Sequence, residues 1–333
     1  MDRKVFDGLA GHHGLTAEGV ERMLDLGAAR PGRSDLARFV VRVLHLAGVL
    51  SIAAGVVFFV AANWSALAVF GRFALVEALL VAACGLALWR PPPDALGRYA
   101  LLFAFVVTGA LFALYGQTYQ TGADVYELFL NWALLGVLFA LAAQWSVVWA
   151  AWVLVLNVAL WLFCGARPET GVLWIVFAAW GLTTSQLLVV PLLVNASLWG
   201  IGGALQGTRW STLAPRWLGR FALACAVATG TWSGMMVVLG GSRDEGPVGL
   251  VVPLAVFAVI GLLTLRRRDD VFPLAMIEAG LIVLSTVWIA EVTDFGEVGA
   301  MFLLAAWLIL TSTVSGHYLM RLVRAWGIQE STT

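Results

Sequence analysis

The sequence predicts an all-α, polytopic integral membrane protein: a bundle of about ten transmembrane helices preceded by a short soluble helical segment. Apolar residues make up 61% of the 333 residues and charged residues only 12%, about half of the roughly 25% usual in soluble proteins. Apolar stretches of about 20 residues also recur along the chain, long enough at 1.5 Å per residue to cross about 30 Å of hydrocarbon. This composition cannot supply a water-soluble surface.

Residues 1–41 are predicted to form a cytoplasmic helical segment. Thr16 can serve as the N-cap of a helix whose apolar residues recur at three- and four-residue spacing, and Gly27 can end it. The segment lacks a short apolar stretch followed by a small-residue cleavage site, so we expect no removable signal peptide. The membrane domain is predicted over residues 42–320, and residues 321–333 are expected to form a short polar tail.

The membrane domain divides into apolar stretches that are each long enough for one span. We place the spans near residues 43–62, 67–89, 99–115, 126–142, 146–164, 172–190, 218–240, 247–265, 271–290 and 297–316. The segment 171–206 is ambiguous, because its 36 residues exceed one span and barely suffice for two with a tight turn at 183–186. The count is therefore ten or eleven, and with ten spans residues 191–206 would form a re-entrant or broken helix.

The placement of arginine favours ten spans, because cytoplasmic loops of membrane proteins carry an excess of Lys and Arg. Arginines before the first span place the N-terminus in the cytoplasm, and Arg90 and Arg98 then also lie there after two spans. The later clusters fall on the cytoplasmic side with ten spans and on the external side with eleven. These clusters are Arg209/Arg216/Arg220, Arg266/Arg267/Arg268 and Arg321/Arg324.

Two polar segments interrupt the apolar background, and both are predicted to lie at the external face. One ends the first span, and the other runs from Tyr115 to Asp124 between the third and fourth spans. Their amides, hydroxyls and carboxylate can all hydrogen-bond a polar ligand. The candidate ligand-binding residues are Asn63, Trp64, Gln117, Tyr119, Gln120 and Asp124. The alternative is an interfacial turn whose Tyr and Trp belong to the aromatic belt of the membrane.

Ionisable residues within predicted spans form a second group of candidates, because a charge at bilayer depth costs roughly 3 kcal/mol or more. Glu77 lies near the midplane of the second span, with Arg72 five residues before it, and Glu278 lies about one third of the way into the ninth. We predict that Glu77 is a proton-sensitive or cation-binding group, with Arg72 and Glu278 as further candidates. The alternative is a protonated Glu77 hydrogen-bonded between helices. The amides of Asn131, Gln144, Asn157 and Asn195 are predicted to hydrogen-bond between helices.

The residue types disfavour enzymes, metal sites and nucleic-acid binding. The four histidines form no HExxH or similarly spaced ligand set, and the three cysteines have no CxxC pair. No serine has the Gly-x-Ser-x-Gly context of a hydrolase nucleophile. Basic and acidic residues balance at 20 each, which leaves no basic face for nucleic acid. We therefore expect no cofactor, no metal and no nucleic-acid partner.

Several motifs together resemble one family. They are the helix from Gly14 to Leu26, the element Phe-Val-Ala-Ala-Asn-Trp ending at Trp64, the element Gly-Gln-Thr-Tyr-Gln-Thr-Gly-Ala-Asp at 116–124, and the following segment 128–133. Over roughly residues 8–165 the chain is similar to the bacterial predicted membrane protein family catalogued as domain of unknown function 2157. This resemblance implies a bacterial inner membrane and a cytoplasmic N-terminal helical segment, and it carries no assigned activity.

The sequence thus leaves two classes of function open. In the first, a transporter-like or sensor-like protein binds a polar small molecule or a lipid headgroup at the external pocket, with Glu77 beneath it. In the second, a structural, assembly or sensory protein uses the same motifs to lock its helices together, and its N-terminal helix docks a partner. The expected partners are membrane lipids, a polar small molecule, and a protein partner or further copies of the chain.

Overall fold

A computed structural model describes residues 33–63, 66–119, 124–166, 182–208, 214–240, 246–293 and 298–327, together with residues 12, 14, 16, 18, 19 and 211. All regular structure in these residues is α-helical. Ten stretches of described helix are long and apolar enough to cross a membrane. The chain divides into two compact units, Met1–Arg72 and Phe73–Thr333, and each is described by itself.

The first unit contains α1 (Arg33–Ala62), a turn, and the first residues of α2 (Val69–Trp89). Helix α1 begins about ten residues before the predicted first span and so includes the end of the segment predicted as soluble. The backbone N–H of Gly19 donates to Thr16 Oγ1 at 3.3 Å, as expected of an N-cap. The rest of the predicted N-terminal helix, residues 20–27, lies outside the described residues.

Among the described residues, the second unit contains the remainder of α2 and nine further helices. They are α3 (Ala95–Tyr119), α4 (Val125–Ala143), α5 (Ser146–Ala166), α6 (Thr184–Leu187), α7 (Val189–Leu205), α8 (Arg216–Leu239), α9 (Val248–Arg267), α10 (Phe272–Val292) and α11 (Val298–Trp326). The short helix α6 and α7 together make one candidate span, Thr184–Leu205. Helix α11 continues about ten residues beyond the predicted last span and takes in the first residues of the predicted tail.

The described part of the structure moves the sixth span relative to its predicted position, 172–190. Residues 184–205 form a stretch of helix long and apolar enough to be one span, so residues 191–205 continue this candidate span and do not form a separate re-entrant segment. Thr183 is not in a tight turn. It is the N-cap of α6, where its side chain and that of Gln186 form a reciprocal capping box. Residues 167–181 lie outside the described residues.

Contacts between helix ends show that neighbouring helices of the second unit run antiparallel. Near the start of α4, Tyr126 packs on Phe163, near the end of α5, with ring centroids 5.2 Å apart. Near the start of α3, Tyr99 packs on Trp145, between α4 and α5, at 5.1 Å. Leu187 in α6 joins the same buried cluster as Phe163. The α6–α7 span therefore starts at the end of the bundle where α5 finishes.

The remaining helices continue this alternation. The last turns of α7 and α9 and the first turns of α8 and α10 line one common cleft. Helix α11 runs antiparallel to α10, because Trp307 bonds Ser285 while Ser315 bonds Glu278. A buried cluster including Leu192, Leu223, Phe257 and Ile277 packs α7, α8, α9 and α10 together.

As a result, the two ends of the second unit differ in charge. The nine arginines described between Phe73 and Trp326 all lie at one end, called here the basic end. They are Arg90, Arg98, Arg216, Arg220, Arg266, Arg267, Arg268, Arg321 and Arg324. The basic end also carries Asp94, Asp269 and Asp270. The opposite end, called here the acidic end, carries Asp124, Glu127 and Glu291.

A pair of buried amides joins α5 to α7 in the interior of the bundle. Asn195 Nδ2 donates to Asn157 Oδ1 at 2.7 Å, and Asn157 Nδ2 donates to Asn195 Oδ1 at 3.0 Å. Each amide nitrogen also donates to a carbonyl oxygen of its own helix at 2.8 Å. The prediction that these two amides bond between helices is confirmed. Asn131, by contrast, is exposed, and Gln144 ends α4 with a left-handed backbone (φ 47°).

Candidate functional site

The polar segment predicted to bind a ligand lies at the acidic end, where α3 finishes. Helix α3 continues through Gln117 to Tyr119, so the first half of this segment is helical. The side chains of Tyr115, Gln117 and Tyr119 are exposed. Tyr115 and Tyr119 share one helical face because they are four residues apart, whereas Gln117 points away from that face.

Three aromatic rings form a row at this end of α3. Tyr119 packs on Tyr115 with ring centroids 4.9 Å apart, and on Phe73 of α2 at 5.9 Å, distances typical of favourable aromatic pairs. About half of each tyrosine remains exposed, 51% for Tyr115 and 58% for Tyr119. Thr118 Oγ1 is buried beside them and has no hydrogen-bond partner among the described residues. The row therefore presents open aromatic surface at the end of α3.

Asp124 precedes α4 at the same end and occupies its N-cap position with an extended backbone (φ −65°, ψ 147°). An aspartate at this position usually accepts a hydrogen bond from the first turn of its helix. The Asp124 side chain makes no such bond, so its carboxylate is not engaged in capping the helix. Two residues on, Tyr126 donates its hydroxyl to Glu127 Oε1 at 3.3 Å. Gln120 lies outside the described residues.

Asn63 belongs to the first unit, where it helps to build the turn after α1. Its side-chain Nδ2 donates to the Phe59 carbonyl at 2.9 Å. Its own carbonyl accepts from the backbone N–H of Ala66 at 3.1 Å and of Leu67 at 3.0 Å. The Asn63 side chain thus has a local structural role. Trp64, predicted beside it, lies outside the described residues.

Arg72 and Glu77 lie on different faces of α2. A separation of five residues places them about 140° apart around an α-helix. Arg72 is only 8% exposed, and its Nε donates to the Leu67 carbonyl at 3.0 Å. Glu77 is exposed on the helix surface, about 12 Å from the start of α2 by helix rise.

Glu278 lies within α10 and is bonded to the neighbouring helix. Ser315 Oγ of α11 donates to Glu278 Oε2. About two helical turns further along α10, Trp307 Nε1 of α11 donates to Ser285 Oγ at 3.2 Å. Glu278 thus contributes to the packing of α11. The sequence does not reveal this partner of Glu278, because 37 residues separate the two and no local pattern links them.

Two cavities lie at the basic end, and sequence analysis found neither. The first, called here the basic cleft, has a volume of about 60 Å³. Its charged lining residues are Arg216, Arg220, Arg267, Asp269 and Asp270. The second, called here the apolar cavity, has a volume of about 340 Å³. Its larger lining residues are Trp149, Trp152, Leu198, Ile201, Leu205 and Leu218. Each cavity draws its walls from three or more helices, so no single stretch of sequence reveals it.

The described residues contain no group of three or more His, Cys, Asp or Glu side chains that could hold a metal ion. Cys164 is buried, and Cys84 and Cys225 are partly buried; all three are free thiols within helices. The acidic end carries hydrogen-bonding groups, aromatic surface and negative charge. The basic end carries guanidinium groups beside an apolar cavity.

Comparisons with known proteins bear on the N-terminal part of the chain. The model of the family described as predicted membrane protein (DUF2157) matches residues 9–149. No curated protein and no solved structure gave a significant match. The matched range includes the turn at Asn63, the end of α3 and helix α4. Residues 9–149 are thus similar to the family described as predicted membrane protein (DUF2157), as the motifs of the sequence indicated.

Proposed function

We propose that this protein is a multi-pass protein of the bacterial inner membrane with its N-terminus and its basic end in the cytoplasm. The clustering of nine arginines at one end of the second unit supports this orientation, because retained loops carry the positive excess in membrane proteins. The acidic end would then face the periplasm.

At the acidic end, the protein binds a polar small molecule or a lipid headgroup. The observation that carries this proposal is the set of exposed side chains at the end of α3, Tyr115, Gln117 and Tyr119, together with an Asp124 carboxylate that does not cap its helix. Amide, phenol and carboxylate groups can all hydrogen-bond such a ligand. Asn63, Trp64 and Gln120 are the further candidate ligand-binding residues.

Glu77 is the proton-sensitive group of this proposal, with Arg72 and Glu278 as further candidates. An ionisable side chain near the middle of a transmembrane helix usually marks a binding site or a proton pathway. Glu278 is bonded to Ser315, and Arg72 to a backbone carbonyl. Exposed Glu77 thus fits the role better than these two, and together with the external site it makes a transporter-like or sensor-like protein the favoured class.

The alternative function is that of a structural or assembly protein, and two observations favour it. The Glu278–Ser315 bond links two helices, so carboxylates of this chain can serve helix packing. Asn63 likewise bonds within its turn. In a structural or assembly protein, the polar segment from Tyr115 to Asp124 stabilises the fold, and the N-terminal segment docks a partner protein.

The replacement of Gln117 by Ala distinguishes the two classes. Native mass spectrometry of the protein extracted from its host membrane would compare retained small molecules in the wild type, Gln117→Ala and the control Asn131→Ala, which removes another exposed amide. We expect a bound species in the wild type and the control that is lost in Gln117→Ala, with melting temperatures unchanged. A Gln117→Ala protein that melts several degrees lower, with no bound species in any form, would support the structural class.

A further inference from the structure

The basic cleft contains an ion pair that fixes one of its three arginines. Arg220 Nε and Nη2 donate to the two carboxylate oxygens of Asp270, each at 3.0 Å. Asp270 Oδ1 also accepts from the backbone N–H of Phe272 at 3.0 Å, and the Arg220 guanidinium lies 5.4 Å from the centre of the Phe272 ring. Arg220 and Asp270 are thus held by each other and by the start of α10.

The other two arginines of the cleft are differently placed, because neither Arg216 nor Arg267 has an ion-pair partner among the described residues. Arg267 lies directly against Gly203 of α7, where a Cβ atom would come within 2.6 Å of its Nη1. The absence of a side chain at residue 203 therefore lets this guanidinium lie against α7 at the cleft. With Asp269, the lining contains three guanidinium groups and two carboxylates, a net charge of +1.

The basic cleft and the apolar cavity adjoin each other. Gly202 of α7 and Gly219 of α8 line both of them. A Cβ atom on Gly202 would lie 4.0 Å from the Cα atom of Gly219, so the two helices face each other here without side chains. A molecule with a charged part and an apolar part could therefore occupy both spaces across this glycine pair.

We propose that this combined site binds a membrane phospholipid, with the phosphate between Arg216 and Arg267 and an acyl chain in the apolar cavity. The cleft volume of about 60 Å³ suits a group of about five non-hydrogen atoms, at roughly 10–15 Å³ for each water-sized group. Guanidinium groups match phosphate oxygens in geometry and charge. Basic pockets between transmembrane helices are a known way of holding lipid headgroups.

The apolar cavity makes a lipid a better match than a free anion. Its volume of about 340 Å³ is at the lower end of the range of ligand pockets, and its named walls are aromatic and aliphatic side chains. Arg216 is the first residue of α8 and Arg267 the last of α9, so the charged half lies where headgroups lie. This site is at the opposite end from the proposed external site and does not depend on it.

The test uses dioleoyl phosphatidylglycerol added to the full-length protein in detergent, with binding followed by native mass spectrometry. We expect one phosphatidylglycerol per chain. Dioleoylglycerol, which lacks the phosphate, should bind at least about tenfold more weakly, since charge-assisted hydrogen bonds to the phosphate are lost. Inorganic phosphate alone should not displace the lipid. Equal binding of dioleoylglycerol, or displacement of the lipid by inorganic phosphate at similar concentration, would overturn the proposal.

Matched variants locate the charged half of the site. Arg267→Gln should weaken phosphatidylglycerol binding at least about tenfold. Arg268→Gln removes the same charge one residue away, outside the cleft lining, and should change binding by less than about twofold. Melting temperatures without lipid show that both variants fold. Equal effects of the two substitutions would mean that the lipid responds to general positive charge, which contradicts a built site.

A second pair of variants tests the apolar half. Ile201 lines the apolar cavity, whereas Leu193 lies on the same helix and does not; both are exposed to a similar extent, 56% and 46%. Ile201→Trp should fill the cavity and weaken phosphatidylglycerol binding, and Leu193→Trp should leave it unchanged. If Ile201→Trp binds the lipid like the wild type, the acyl chain does not occupy this cavity and the proposal is wrong.

Discussion

Individual polar side chains within the helices of this protein differ in what they contact. The amides of Asn157 and Asn195 are buried and fully engaged in bonds with each other and with their own helices. The Asn131 amide is exposed. The sequence predicted one role, interhelical hydrogen bonding, for these amides alike. Composition and hydropathy show that a residue lies in a span, but only the helix packing decides which face it occupies.

The Asn157–Asn195 pair should contribute measurably to stability. Asn195→Ala removes two interhelical bonds and leaves Asn157 without its partner, which we expect to cost about 1–2 kcal/mol of unfolding free energy. The measurement is denaturant unfolding in mixed micelles, with Asn131→Ala as the control that should change stability by less than about 0.5 kcal/mol. In a double-mutant cycle, Asn157 and Asn195 should be coupled. Additive effects of the two substitutions would show that the pair does not bond in solution.

At the residue scale, the candidate ligand site is only partly predictable. One stretch, 115–124, stands out in the sequence for its density of polar side chains. It contains the exposed Gln117 and Tyr119, and also Asp124, whose side chain makes no capping bond. Asn63 also carries an amide and is an equal candidate by sequence, yet its amide bonds within a local turn. The Glu278–Ser315 contact and the two cavities were missed because their parts are far apart in the chain.

At the scale of single elements, most helix positions follow from hydropathy, since a span must satisfy its backbone internally within lipid. The shift of the sixth span to 184–205 has a specific cause. Hydropathy locates an apolar stretch but not the residue at which its helix begins. The start of α6 is set by the capping box of Thr183 and Gln186. The spacing Thr-x-x-Gln is itself a capping-box pattern. The sequence therefore contains a signal for the start of a helix at residues 183–186, where a tight turn is the competing interpretation.

The packing of α3 on α4 depends on a glycine that admits an indole ring. A Cβ atom at Gly109 would lie 2.6 Å from Trp132, whose Nε1 donates to the Phe105 carbonyl at 2.8 Å. Gly109→Ala should therefore destabilise the protein by about 1–3 kcal/mol through overpacking.

The control for this prediction is Gly200→Ala in α7, where a Cβ atom would meet nothing within 4 Å. It should leave stability unchanged or raise it by up to about 1 kcal/mol, because alanine favours helix more than glycine. Both variants can be compared by thermal unfolding in the same detergent. If Gly109→Ala is as stable as Gly200→Ala, then the Trp132 ring of α4 does not lie against residue 109 of α3.

At the scale of the whole molecule, the order of the helices and the positions of the charged residues make the two ends of the second unit different. The sequence left ten or eleven spans open, because hydropathy alone does not resolve residues 171–206. The contacts of α5 with the α6–α7 span show that these neighbours are antiparallel. Every described arginine cluster after Phe73 therefore falls at one end, as the ten-span alternative required. With the proposed orientation, the site at the acidic end would face the periplasm and the lipid site would lie in the cytoplasmic leaflet.

The most direct test of the proposed orientation is the accessibility of single cysteines at the two ends of the second unit, in a background without Cys84, Cys164 and Cys225. Spheroplasts expressing Asp124→Cys or Asp269→Cys would be treated with a membrane-impermeant maleimide, before and after permeabilisation. The proposed orientation predicts labelling of Asp124→Cys in intact spheroplasts and of Asp269→Cys only after permeabilisation. Labelling of Asp269→Cys in intact spheroplasts, with Asp124→Cys protected, would contradict the proposed orientation and with it the assignment of both binding sites to their membrane faces.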